Sequence, residues 1–339
     1  HEAYIVGGAV RDLLVGRVPK DFDIATSAHP RQIKKLFWNS RIIGRRFKLV
    51  HLHYPDKIFE VSTFRARENG EGENNLYGTI EEDAWRRDFS VNALYYDSLE
   101  EQLVDYVDGM RDIKNRVIRS IIPLDSTFQE DPVRMIRGIK YASVTGFTMK
   151  FSLRRAIRRH AGELGRVSSS RMTEELFKIL ATGASREILR MLLDKRLFCH
   201  MLPILDDLLQ SGRQIPLTTD FLDALGQLDA QVEQKGEIGK ELMIVHLVKP
   251  FLLIPEEYES TMELFRDLFK DIKRLIQPIT PPNIDVEKAV ALIFEEETIK
   301  VPKHAVRKPK AAAPRNQARR DGRRRRSSRQ RKKPQPKKS

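Results

Sequence analysis

The apolar positions of this chain follow two regimes. Up to about residue 120 they come in short runs with strand spacing, and beyond it they recur at helical spacing almost to Pro302. Tyr4-Ile5-Val6 is an apolar run that turns at Gly7-Gly8 into a helical pattern over 9–14. A Gly/Pro break over 16–19 then leads into Asp21-Phe22-Asp23-Ile24. In a strand, residues two apart share a face. Asp21 and Asp23 are therefore expected side by side, with Phe22 and Ile24 facing a core. Residues 41–44 and 48–53 read as strands, and 58–63 alternates as a half-buried strand does. Residues 68–75 have turn composition without an apolar anchor, which predicts a mobile loop. Residues 81–96 read as one helix on Ala84, Val91 and Leu94, and 103–109 ends in a tight turn.

The second regime starts near Phe128. Glu130-Asp131-Pro132 has the acids and the proline that suit a helix start, continued by Val133, Ile136 and Ile139. Ser168 to Ser170 with Glu174 predict an N-terminal cap ahead of a helix over 172–180. Residues 187–210 and 218–299 read as further amphipathic helices, with Pro281-Pro282 as a break, and no repeat of 20 to 50 residues is present. Strands first and helices after make this an α+β chain.

At 339 residues the chain has room for two or three domains. Its net charge of +14 is carried by the end: residues 303–339 hold 17 Lys/Arg and one acid, whereas 1–302 hold 44 basic and 46 acidic residues. The folded part is thus near neutral, and the tail, with Pro, Ser, Gln and Ala between its charges, is expected to be disordered. No apolar run reaches the ~18 residues of a membrane span; the best, over 243–255, is interrupted by His246, Lys249 and Pro250. The lone Cys199 excludes an intramolecular disulfide and a cysteine zinc cluster, and predicts a reducing, cytoplasmic setting. The chain begins at His1 with a strand already under way, so a preceding segment is expected.

Three motifs carry chemistry. In the first, Gly7-Gly8 with Arg11 lies upstream of Asp21-x-Asp23. Glycine lets backbone N–H groups approach a phosphate, arginine adds a fork of donors, and paired carboxylates suit Mg²⁺. A solvated acidic pair on a loop is the commoner meaning of D-x-D alone. No GxxxxGK[ST] sequence occurs, which excludes a P-loop ATPase. The second motif is Arg86-Arg87-Asp88-Phe89-Ser90-Val91-Asn92, with Arg87 suited to phosphate or ribose and Asp88 to ribose or metal; Glu60, on a strand able to lie beside the D-x-D, rivals Asp88 as third acid. In the third, Asp131, Arg134 and Arg137 share a helical face by i, i+3 spacing and offer an acceptor and donors to a base edge, an ordinary ion pair being the plainer alternative. Arg154, Arg155, Arg158 and Arg159 form a basic stripe, and Arg45, Arg46 and Lys48 a shorter one, either of which suits an RNA backbone or a solvated face. His51, His53, His160, Cys199 and His200 have no metal-ligand spacing.

In this order the motifs resemble the nucleotidyltransferase family of bacterial poly(A) polymerases and tRNA CCA-adding enzymes, over residues 4 to about 180. The resemblance implies a nucleotidyltransferase head with a small mixed sheet over 1–120, a helical neck over 121–183, a helical RNA-binding body over 184–302 and the basic tail. It further implies that Asp21 and Asp23 hold Mg²⁺ and carry catalysis. Gly7, Gly8 and Arg11 would sit at the triphosphate, and Arg87 and Asp88 at the ribose, with Asp88 as a third catalytic acid. Asp131 and Arg134 would read the base, supported by Arg137 and Arg171. Residues 42–51 look like the poly(A) polymerase version of that segment, without the Lys-His-Gly-Thr type sequence of CCA-adding enzymes.

The expected activity is template-independent transfer of AMP from ATP to RNA 3′ ends. The 3′-hydroxyl attacks the α-phosphate in line, pyrophosphate leaves, and the tail attaches RNA without sequence preference. A CCA- or A-adding tRNA enzyme is the alternative within the same chemistry. A non-catalytic RNA-binding protein with a relic head is the alternative outside it.

Overall fold

A seven-stranded mixed sheet occupies the first third of the chain and presents the acidic motifs at one place. The structure, a computed structural model, describes residues 1–44, 48–66, 77–211 and 215–307. The expected loop over 68–75, Arg45 and Arg46 of the short basic stretch, and the tail from 308 onward lie outside the described residues. The sheet is built from β1 (Ala3–Val6), β2 (Asp23–Thr26), β3 (Ser40–Ile43), β4 (Leu49–His53), β5 (Ile58–Thr63), β6 (Leu94–Asp97) and β7 (Gln102–Asp105), in the order β3-β4-β5-β2-β1-β6-β7. Helices α1 (Gly8–Leu14), α2 (Pro30–Leu36), α3 (Ile80–Trp85) and α4 (Gly109–Lys114) connect them. Within this sheet, among the described residues, only β2 and β5 pair in parallel, and their register sets Asp23 opposite Glu60. The β2 residues alternate between faces: Ala25 packs with Val6, Phe64 and Tyr95, while its neighbour Ile24 packs with Val50 and Val61.

The rest is helical apart from two-residue strands β8 (Val117–Ile118) and β9 (Thr148–Met149). Helices α5 (Leu124–Glu130), α6 (Val133–Thr145), α7 (Phe151–His160) and α8 (Ser169–Leu180) follow the sheet. Then come α9 (Ser185–Asp194), α10 (Phe198–Met201), α11 (Pro203–Gln210), α12 (Ile215–Lys235), α13 (Lys240–Val248), α14 (Thr261–Leu275) and α15 (Asn283–Glu296). Their apolar faces merge into one core that runs from Phe89 to Phe294. Phe89, 1 % exposed, ties this core to the sheet: it lies over Gly138 of α6, where a Cβ would come within 3.0 Å of its ring. The Pro281-Pro282 break falls between α14 and α15 as expected, and no helix among the described residues is long and apolar enough to cross a membrane.

Three expectations fail in detail. Residues 81–96 are not one helix: α3 stops at Trp85, Ser90–Asn92 makes a single 3₁₀ turn, and Leu94-Tyr95-Tyr96-Asp97 becomes β6. The ladder to β1 and β7 and complete burial of Leu94 and Tyr95 outweigh any helical propensity there. β2 starts at Asp23, which leaves Asp21 exposed and outside the ladder. Phe22 is half-buried under Lys57, whose ammonium lies 5.7 Å above its ring, instead of joining the core.

Candidate active site

A cleft of about 530 Å³ opens between the sheet and helices α6 and α8. Its floor is the turn after β1. Gly7 has φ +79°, a conformation that a side chain strains and glycine adopts readily. A Cβ there would lie 3.6 Å from Asp23 Oδ2 and 3.8 Å from Arg87 Nη1, so the turn touches both an acid and a cation. Asp23 and Glu60 stand on neighbouring strands and both line the cleft. Among the described residues no hydrogen bond or ion pair reaches either carboxylate or Asp21. Burial raises the Asp23 pKa, Glu60 and Asp21 raise it further, and Arg87 and Lys178 oppose them.

That donor set fits Mg²⁺. No three His, Cys, Asp or Glu side chains converge on a ready-made cage among the described residues. Mg²⁺ is ordinarily held by one or two carboxylates together with substrate phosphates and water, so two unpartnered carboxylates beside a glycine turn suffice.

The head wall of the cleft rests on a residue that the sequence reading passed over. Asp83 of α3 is 1 % exposed, and its Oδ2 accepts hydrogen bonds from Arg87 Nη2 (2.9 Å), Arg87 Nε (3.2 Å) and the Tyr95 hydroxyl (2.8 Å). Its Oδ1 accepts from Arg86 Nε at 3.0 Å and from the Arg65 backbone N–H at 3.2 Å. Burial alone would raise the Asp83 pKa, but Arg87, Arg86 and the Tyr95 hydroxyl outweigh it and hold it at about 2. The i+3 and i+4 spacing of Arg86 and Arg87 from Asp83 was the available signal. Misreading 81–96 as one helix concealed Tyr95.

The neck wall comes from the junction of α5 and α6 and from α8. Asp131, extended because Pro132 follows, accepts from Val133 N–H at 3.2 Å and from Arg171 Nη2 at 2.5 Å. It therefore lies between helices and not on the face of α6 that carries Arg134 and Arg137, yet all three line the cleft. Arg134 Nη1 donates to Glu130 Oε2 at 3.0 Å and to the Thr127 carbonyl at 3.2 Å. Arg137 spans the two walls, reaching Asp88 Oδ2 at 3.4 Å and the buried Glu175 at 3.3 Å.

The cleft thus gathers Gly7, Gly8, Asp23, Glu60, Arg87, Asp88, Asp131, Arg134 and Arg137 from the expected residues. Three others lie elsewhere. Asp21 borders two outer pockets and acts on Asp23 through its charge. Arg11 is 5 % exposed beneath the glycine turn; it donates to Asp12 Oδ1 at 2.7 Å and Asn92 Oδ1 at 2.7 Å and lies 5.0 Å over the Tyr141 ring. Arg171 stands behind Asp131. Asp88 is turned to its own Phe89 N–H (2.8 Å) and to Arg137, so Glu60 is the acid in register with Asp23.

Comparison with known proteins agrees with this architecture. Residues 3–119 match the poly A polymerase head domain, and residues 146–209 match a family described as "Probable RNA and SrmB- binding site of polymerase A". The chain is 38 % identical over 254 residues to poly(A) polymerase I of Escherichia coli O6:H1, covering 70 % of this chain and 55 % of that protein. It is 36 % identical over 203 residues to the CCA-adding enzyme of Bacillus subtilis, covering 58 % and 51 %. The crystal structure of the Bacillus stearothermophilus CCA-adding enzyme in complex with CTP shares the fold, with a TM-score of 0.56 at 24 % identity over 88 % of this chain and 80 % of that one. The chain spans little more than half the length of the curated relatives it matches. With its head matched over the residues that build the cleft floor, it belongs to the tRNA nucleotidyltransferase and poly(A) polymerase family.

Proposed function

We propose that this chain is a template-independent polynucleotide adenylyltransferase, which transfers AMP from ATP to RNA 3′ ends and releases pyrophosphate. One observation carries the reading: a single cleft combines an acid pair without a partner among the described residues, a glycine turn, an arginine wall and base-edge donors and acceptors, all from protein. A nucleotide chosen by Asp131 and Arg134 needs no template strand. Greater identity to poly(A) polymerase I than to the CCA-adding enzyme favours ATP with general RNA acceptors over a tRNA end.

Each residue then has a role. Asp23 and Glu60 hold Mg²⁺ with the nucleotide phosphates, and Asp21 adds charge beside them, facing the outer pockets where an acceptor approaches. Bound Mg²⁺ supplies Lewis-acid stabilisation of the phosphates and activation of the RNA 3′-hydroxyl. Gly7 and Gly8 bring backbone close to the triphosphate, and Arg11 acts from behind by fixing Asn92 and Tyr141. Arg87 and Asp88 take the phosphate and ribose side. Arg137 and Arg171 hold the base readers in place. The basic residues over 303–339 attach RNA through its phosphates, so binding weakens steeply with salt.

The test offers each of the four nucleoside triphosphates with a general RNA and with a tRNA lacking its 3′ end. AMP added in runs to general RNA is the expected result. CMP and AMP added only to the trimmed tRNA would make it a CCA-adding enzyme, and no incorporation at all would leave a binding protein.

A further inference from the structure

Asp21 borders a second opening, outside the cleft. A cavity of about 570 Å³ lies between the tip of the β4–β5 hairpin, the loop that carries Asp21 and Phe22, and Glu237 in the turn from α12 to α13. It continues the sheet face of the acid pair. His51 pairs with Glu60 and His53 with Ile58, and residues two apart on a strand share a face, so Ile58 lies on the cleft side of β5, about 7 Å along from Glu60. The cavity is aromatic: Tyr54, 47 % exposed, meets the Phe59 ring edge-on at 5.6 Å, and Phe22 lies under the Lys57 ammonium. Its charges are three acids, Asp21, Asp56 and Glu237, against Lys20 and Lys57, and the Lys20 ammonium already donates to the Ala181 carbonyl at 2.9 Å. That balance disfavours a bare phosphate. It favours a flat, uncharged ring that stacks on an aromatic side chain and whose amino groups donate to acids, which describes a nucleobase.

We propose that this cavity seats one base of the RNA acceptor, the base immediately upstream of the reacting 3′-terminal nucleotide, with Tyr54 as its stacking platform. That the occupant is an acceptor strand rests on the adenylyltransferase reading; the base seat itself does not. The terminal ribose has to reach the acid pair, and a strand leaving that place along the hairpin meets Tyr54 next. Asp21 lines the cavity and acts on Asp23 through its charge, so it marks the boundary between the seat and the acid pair. Stacking tolerates any sequence, as a general RNA acceptor requires. Once two residues have been added, the seated base is one that the enzyme itself supplied.

The test is fluorescence anisotropy of a short single-stranded RNA bound to the whole chain without nucleotide, which needs no turnover. The RNA is used intact, with an abasic residue immediately upstream of its 3′-terminal nucleotide, or with one far from that end. The parent should bind the first abasic strand about tenfold more weakly than intact RNA, the worth of one stacked base, and the second as well as intact RNA. Tyr54→Ala should bind intact RNA about tenfold more weakly and lose the difference between intact and abasic strands, because ring and base act as one pair. Tyr54→Phe keeps the ring and should restore the difference. Trp38→Ala, which removes a 92 % exposed ring just past α2, should leave the difference unchanged. A difference that persists in Tyr54→Ala overturns the seat, as does a parent indifferent to the missing base. A parent that shows this coupling yet incorporates no nucleotide keeps the seat and overturns the adenylyltransferase reading instead.

Discussion

The two walls of the cleft are each organised by a buried acid, and they are organised differently. On the head side Asp83 accepts from Arg87, Arg86, Tyr95 and the Arg65 amide, with side-chain bonds of 2.8 to 3.2 Å. On the neck side Glu175, 3 % exposed, faces Arg137 at 3.3 Å and Lys140 at 3.6 Å. Neither Glu175 Oε2 nor Arg137 Nε makes a hydrogen bond among the described residues. Burial lowers the Lys140 pKa despite the neighbouring Glu175, a sign of incomplete compensation. A saturated acid fixes its partners in one arrangement, whereas a slack one leaves them able to shift. The head wall of the cleft is therefore the more constrained and the neck wall the looser. On the proposed reading of the cleft, that division suits holding a triphosphate while fitting one base.

The largest effect that could break this comparison is thermodynamic. Asp83→Asn should cost about 3 kcal/mol in denaturant unfolding, since it strips the buried partner from two half-buried cations. Glu175→Gln should cost about 1 kcal/mol, because Lys140 can shed its proton and Arg137 keeps Asp88. Equal losses would remove the distinction.

A second, smaller effect lies in the pH dependence. Asp83 has a folded pKa of about 2, below the ordinary 3.8. Its stabilisation is present above pH 3.8, is lost as pH falls toward 2, and amounts to about 2 kcal/mol. Acid unfolding over that window should flatten in Asp83→Asn. Lys140 has the same sign at the alkaline end: its lowered folded pKa means that stability rises as pH climbs toward the ordinary 10.5. That alkaline gain should grow in Glu175→Gln, and a fall in alkaline stability would contradict it.

The smallest effect sharpens the link between the walls. Gly138→Ala places a Cβ 3.0 Å from the Phe89 ring, so the ring must give way by a few tenths of an ångström. A loss of about 1 kcal/mol is expected in thermal unfolding, together with a change in nucleotide preference greater than the change in total incorporation.

What the sequence made legible follows from the range of the interactions. The strands over 41–44, 48–53 and 58–63 and the helices past Phe128 were readable because their periodicity is local. Asp23, Glu60, Arg87, Asp131 and Arg134 were readable as chemical types, and they meet in one cleft. The parallel pairing of β2 with β5 was not readable, and it is what favours Glu60 over Asp88 as the neighbour of Asp23. Tyr95 was hidden because its strand forms only against β1 and β7. Arg11 shows the limit of motif reading: its charge suits phosphate, but the fold turns it beneath the glycine turn toward Asn92.

The central claim is that one cleft carries transfer at Asp23 and base choice at Arg134. The most direct measurement is the ratio of AMP to CMP incorporated into a single RNA by the parent, Arg134→Ala and Asp23→Ala. AMP almost alone from the parent, a mixed product from Arg134→Ala and none from Asp23→Ala are expected. An unchanged ratio in Arg134→Ala, or normal incorporation by Asp23→Ala, would contradict the account.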